Sequence, residues 1–322
     1  MSALETSPER IAAAPRRFTG IGDTLFLRIT QLFALVVLGV VILTVCTTAF
    51  KAMPAVRAFG FRFFTSTTWD PVADKFGAWP FLWGTIYSSL IGLVLAVPVG
   101  VATAIFLAEL APRQLRGPVS FLIELLAAVP SVVYGLWGVL VMVPWLRDNV
   151  EAPLSTRFGS VPIFAGAPFG VSVLAAGVIL AIMILPIVTA VTRDVIAAVP
   201  REQREASFGL GSTRWEAIWN AVVPFGRVGI FGGIVLALGR AIGETMAVTM
   251  VIGNRPEASV SLLNPAYSLA AVLANEFSEA TGALHQAALQ EITLVLFGLT
   301  FLVNGLARWL VWSVTRKAGG RR

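Results

Sequence analysis

Arg240 and Glu244 stand four residues apart inside an apolar run, Leu238-Gly239-Arg240-Ala241-Ile242-Gly243-Glu244-Thr245-Met246-Ala247-Val248. On a helix that spacing puts both side chains on one face, where they can pair. A charge in a membrane-spanning run costs about 2.5–3.5 kcal/mol on insertion scales and usually marks a pathway or a partner. Guanidinium presents a planar fork of donors suited to a compact oxyanion. Arg240 is therefore the candidate to meet an anion, with Glu244 holding or releasing it. The plainer alternative is a structural ion pair that only neutralises both charges. Ser131, Tyr134 and Thr245 add hydroxyl donors in neighbouring apolar runs, where such groups also serve as packing glue between helices.

The elements that must position these groups are set by solvent. Hydrophobic residues make up 57% of the 322 and charged residues 13%, against roughly 25% charged in a soluble domain. Mean hydropathy is +0.81. Several apolar runs reach the roughly 20 residues that a spanning helix needs. The expectation is an all-α membrane protein with six transmembrane helices, near 26–50, 82–109, 119–146, 170–193, 227–252 and 290–314. Six spans put both termini on one side. With that side cytoplasmic, sixteen of the 24 basic residues fall inside or at the inner interface and seven outside. That is the positive-inside bias. The pI near 10 thus follows from topology, and no nucleic-acid partner is expected.

Cys46 is the only cysteine, so no intrachain disulfide or cysteine metal cluster is available. The lone His285 lies in an expected outer loop. Prolines 98, 130, 144 and 186 fall inside spans and kink them.

The polar stretches divide the rest. Residues 1–25 read as a cytoplasmic tail and 316–322 as a basic C-terminal tail. Residues 51–81 form an external segment rich in Phe and Trp, which either packs back on the helices or receives a partner. The five-helix core, 82–315, contains a cytoplasmic loop at 195–224. Glu109 and Glu124 flank a tight inner hairpin and read as interface charges. In the loop, Arg201-Glu202-Gln203-Arg204-Glu205-Ala206 favours helix, Gly209 and Gly211 break it, and Thr213-Arg214-Trp215-Glu216 reads as a capping box opening a second short helix. Trp215, Ile218, Trp219 and Val222 then form one apolar stripe. Two short amphipathic helices make a docking surface, or else lie on lipid headgroups.

Glu205-Ala206-Ser207, Gly211 and Val223-Pro224 resemble the EAA loop of ABC-importer permeases. Ser207, Ala221 and Val223 depart from its usual residues, but the spacing from Glu205 to Pro224 is intact. The resemblance implies that Glu205, Ala206, Ser207, Gly211, Trp215 and Pro224 belong to coupling helices seated in a cleft of an ATP-binding subunit. No G-x-x-x-x-G-K-[S/T] occurs in the chain, so ATP would be used, with Mg, by that separate subunit. No cofactor is expected in this chain.

Three further segments resemble the PstC-type phosphate permease family: Phe63 to Pro71, Glu124 to Gly138, and Leu238 to Val248. The resemblance implies a type I ABC importer permease of the bacterial inner membrane, importing phosphate by alternating access. Its partners would be a PstA-type permease, a PstB-type ATPase dimer, a PstS-type receptor and membrane lipid. The residues leave open an importer of another oxyanion such as sulfate or molybdate, the PstA-type companion itself, and a phosphate-status signalling role. An ATP-independent carrier is disfavoured by the loop. An enzyme is disfavoured by the lack of any triad, metal cluster or carboxylate dyad.

Overall fold

A computed structural model of the chain describes residues 21–319. Most of the expected N-terminal tail, and the end of the C-terminal one, lie outside the described residues. The chain divides into two units at Thr47–Thr48. In the first, the described residues are wholly helical.

Helix α1 runs from Ile21 to Phe59. At 1.5 Å per residue it is about 58 Å long, nearly twice a hydrocarbon core of about 30 Å. Lys51–Phe59 therefore extend the first span as helix instead of opening a loop. After the single turn α2 (Arg62–Thr65), Asp70 and Lys75 exchange both backbone hydrogen bonds around a tight turn with Asp74 at φ 51°. The chain then enters α3 (Trp79–Leu110), α4 (Arg113–Ala128), α5 (Ser131–Phe158) and α6 (Val173–Ala197). Helix α7 (Arg201–Gly209) precedes α8 (Arg214–Ile242), and α9 (Met246–Val251) follows. Helices α10 (Leu269–Glu276) and α11 (Ala283–Gly319) complete the order. Among the described residues, five helices are long and apolar enough to cross a membrane, and six if the bent pair α4 and α5 counts as one span.

Helix α6 is the centre of the second unit, packed between α3 and α8. Close approach depends on glycine. A Cβ on Gly177 would sit 2.3 Å from Ile91 Cγ2, and one on Gly92 would sit 2.9 Å from Leu180 Cβ. With no hydrophobic force between helices in lipid, small residues gain the backbone contact that holds them together. Ile179, Leu180, Ile184 and Val188 fill the seam and are buried.

The expected third span is not one helix. It bends by 91° between α4 and α5, because Pro130 forces Val129 into an extended conformation (ψ 128°). Pro130 also lacks the N–H that would have reached Leu126 O. The Tyr134 hydroxyl donates to that oxygen instead, at 2.8 Å. The expected fifth span, 227–252, likewise breaks at Gly243–Thr245, between α8 and α9. By contrast, the second expected loop helix is not separate. It opens α8 and continues through a π turn at Ile218–Val222, just before Pro224. The wider turn absorbs the register change where proline removes a donor. The expected outer loop after residue 146 remains helical as far as Phe158.

Candidate translocation and coupling sites

Helix α8 carries Arg240 in its last turn, and Glu244 lies just past its end. The expected pair forms, with Arg240 Nη2 3.7 Å from Glu244 Oε2. That is an ion-pair distance and longer than a hydrogen bond. Glu244 Oε1 accepts from the Ala247 N–H at 3.4 Å, so the carboxylate reaches across the break to the first turn of α9. The two partners differ in access: the Glu244 side chain is 5% exposed and that of Arg240 52%. The carboxylate is thus a buried anchor, while the guanidinium keeps donors open on an uncovered helix face.

Helix α9 seats on α5. A Cβ on Gly135 would lie 2.5 Å from Met250 Sδ and 3.1 Å from Ala247 Cα. The helices that begin at the two breaks are therefore packed on one another, and with them the sequence candidates of both segments. Ser131 opens α5 half-buried. Tyr134 has its hydroxyl committed to Leu126 O. Thr245 makes a long contact to Gly243 O, 3.4 Å, and its carbonyl accepts from the Thr249 hydroxyl at 2.7 Å. Of these groups, Arg240 presents the most unspent donors.

The loop residues lie together on another surface. Glu205, Ala206 and Ser207 are on α7, and Gly211 turns the chain at φ +87°, a conformation that disfavours a side chain. The capping box forms: Thr213 Oγ1 accepts from the Glu216 N–H, and Glu216 Oε2 accepts from the Thr213 N–H at 2.8 Å. The expected single stripe divides. Ile218 and Val222 are buried with Ile105, Ile196 and Val199. Trp215 and Trp219 face outward as an edge-to-face pair 5.5 Å apart. Phe208, Leu210, Trp215 and Trp219 leave an exposed apolar surface beside Glu205 and Ala206, of the kind that marks a protein interface. Pro224 is exposed at the α8 end of this segment.

Beside the apolar seam of Ile218 and Val222, a charged side chain also fastens the surface to the bundle, and its role was not visible in the sequence. Arg204 on α7 donates from Nε and Nη2 to Glu109 Oε1 of α3, at 3.0 and 2.6 Å. It also donates to the Ile196 and Val199 carbonyls at the C-terminal end of α6. Glu109 is thus an anchor, while Glu124 lies 3.6 Å from Arg193. The partners Arg204 and Glu109 are 95 residues apart, so no local spacing signals the link.

The outer segment packs back on the helices. Phe63 and Phe76 are buried with Phe81, Tyr267 and Leu289. Trp69 Nε1 donates to Glu276 Oε2 at 2.8 Å, and His285 Nε2 lies 3.1 Å from the same oxygen. Burial pushes the Tyr267 hydroxyl up to about 12, which keeps it neutral while it accepts from Asn275. Glu151, also missed by sequence reasoning, is fully buried and accepts from the Gly170 N–H and the Ser172 hydroxyl at 2.8 and 2.6 Å. Ser172 in turn caps α6.

A charge pair at a broken helix and a separate exposed apolar surface thus lie on one bundle of apolar, membrane-length helices. A family model described as binding-protein-dependent transport system inner membrane component matches residues 96–316. The phosphate transport system permease protein PstC of Mesorhizobium japonicum is 43% identical over 314 residues, 95% of each chain. That of Pasteurella multocida is 43% identical over 301 residues, 92% of this chain and 94% of its own. A probable PstC of Methanocaldococcus jannaschii is 34% identical over 79% of this chain and 82% of its own. The chain belongs to this PstC family of inner-membrane permeases. In fold it is similar to an inward-facing structure of the MetNI methionine ABC transporter, with a TM-score of 0.56 and 16% identity over 73% of this chain and 96% of that one.

Proposed function

We propose that this chain forms half of the translocation path of a phosphate importer, with Arg240 as the residue that phosphate meets. The observation that carries the assignment of Arg240 is its half-exposed guanidinium at the broken end of α8. A charge within an apolar spanning helix is too costly to leave facing lipid. The uncovered face of α8 therefore lines a path or meets a second permease subunit, here a PstA-type chain. Guanidinium binds phosphate through paired N–H donors, and Glu244, held by the α9 backbone, offsets the charge of Arg240 between transport events. Thr245, at the same break, and Ser131, on the helix that packs on α9, are secondary donors.

The coupling surface supplies the drive. A PstB-type ATPase dimer, using ATP and Mg, grips Glu205, Ala206, Trp215 and the exposed aromatics, and its closure moves α7 and the start of α8. Because α8 is continuous from Arg214 to Ile242, displacement at the loop is delivered to Arg240 along a single rod. A PstS-type receptor brings phosphate to the outer face. The test is labelled phosphate uptake at low external phosphate in a host lacking the gene. Wild type restores ATP-dependent uptake and Arg240→Gln at matched abundance does not. Restoration by Arg240→Gln removes Arg240 from the path, and failure of wild type beside its partners redirects the search to sulfate or molybdate.

A further inference from the structure

Beside the coupling surface is a pocket of about 300 Å³ whose walls include Glu109, Arg116, Arg204, Phe208, Arg214 and Ile218. Three guanidinium groups share it with one carboxylate. Glu109 is already committed to Arg204, which leaves a net charge of two. Arg116 is oriented by its Nε, which donates to Ala111 O at 2.9 Å, and neither Arg116 nor Arg214 has an acidic partner among the described residues. The nearby Glu216 is occupied by the capping box. Like charges gathered around a partly apolar pocket repel unless an anion joins them. A phosphate group fits in volume, in charge and in its preference for guanidinium forks.

The walls come from four places: the end of α3, the start of α4, the coupling helix α7 and the start of α8. A bound anion therefore ties the moving coupling segment to the static hairpin. We propose that this pocket is an inner-face site for a phosphate group, and that its occupation restrains α7 and slows the transport cycle. The site itself depends only on the geometry. Its role as feedback by the imported product rests on the phosphate-import reading.

The ligand chemistry has two sources, free phosphate and an anionic lipid headgroup, and the experiment separates them. The complete importer is placed in phosphatidylcholine nanodiscs and labelled phosphate binding is measured by equilibrium dialysis. Charge-assisted bonds of this kind are worth roughly tenfold or more in affinity each. Arg116→Gln with Arg214→Gln is therefore expected to weaken one class of sites by about a hundredfold, a class that Arg240→Gln leaves intact. The conservative pair Arg116→Lys and Arg214→Lys retains part of the binding, which separates charge loss from misassembly. If the headgroup is the natural occupant, phosphatidylglycerol discs abolish phosphate binding to that class of sites in wild type. Native mass spectrometry then finds that lipid retained by wild type and lost from the double Gln variant. Equal binding of phosphate and of lipid by wild type and the double Gln variant overturns the site. In vesicles, internal phosphate slows uptake by wild type more than by the Gln pair; equal slowing overturns the restraint while leaving any measured binding in place. Loss of uptake under every condition counts instead against the import reading.

Discussion

Arg204 is a polar fastening of α7 to the bundle whose removal separates coupling from folding. Its five donor contacts reach Glu109 on α3, the Ile196 carbonyl at the end of α6, and the Val199 and Pro200 carbonyls just beyond it. Arg204→Ala leaves Glu109 without its partner and strips the guanidinium donor from the Val199 and Ile196 carbonyls, although Ile196 O keeps the Val199 N–H at 3.2 Å. Removing one member of a buried ion pair costs about 3–5 kcal/mol. Here the two side chains remain 20% and 17% exposed, and solvent screening lowers the figure to about 2 kcal/mol. At 1.4 kcal/mol per tenfold, that is a shift of about thirtyfold toward states with α7 detached from the bundle. The bundle core lies elsewhere, along α3, α6 and α8, so the variant assembles. Transport and ATP hydrolysis are read together in vesicles containing the complete importer: phosphate taken up per ATP falls by an order of magnitude while hydrolysis continues. The charge-reversed pair Glu109→Arg with Arg204→Glu does not rescue coupling, because a carboxylate cannot donate to the Ile196 and Val199 carbonyls. Wild-type transport per ATP in Arg204→Ala, or full rescue by the reversed pair, refutes the reasoning.

Tyr134→Phe removes the hydrogen bond that covers Leu126 O and leaves only the Val129 N–H at 3.4 Å. It lowers stability by about 1 kcal/mol without raising the KM for phosphate, and a raised KM at unchanged Tm makes Tyr134 a substrate ligand instead. Gly84→Ala drives a Cβ to 2.3 Å from the Tyr267 carbonyl oxygen, a backbone atom that cannot rotate away. It costs about 3 kcal/mol and depletes the protein from membranes, whereas Gly298→Ala, with nothing within 4 Å, is neutral in the same immunoblot. Glu151→Leu strands the Gly170 N–H and the Ser172 hydroxyl in a fully buried site. Thermal unfolding registers a loss of about 2 kcal/mol, and Glu151→Gln, which keeps an acceptor oxygen, loses less.

The spans were legible because lipid imposes length and apolarity, and Arg240 with Glu244 because charge in such a run is rare. The capping box was legible because its four residues are consecutive. What sequence did not reveal was which prolines break a helix. Pro98 and Pro186 lie inside continuous helices α3 and α6, while Pro130 accompanies a 91° bend. Proline is present in all three cases. At Pro130 the freed carbonyl is covered by a hydroxyl one turn beyond, and the following helix is seated on α9 through Gly135. That arrangement needs partners from distant sequence, as does the link of Arg204 to Glu109. It also changes how polar residues at breaks are read. Backbone can leave the helix within a bilayer only where something else satisfies it, so a polar side chain beside a break is first a backbone partner. Tyr134 and Glu244 are spent in that way. Arg240 is not, since its guanidinium is half exposed and meets its carboxylate only at ion-pair range. The substrate burden therefore falls on Arg240 more than on the hydroxyls of Ser131, Tyr134 and Thr245.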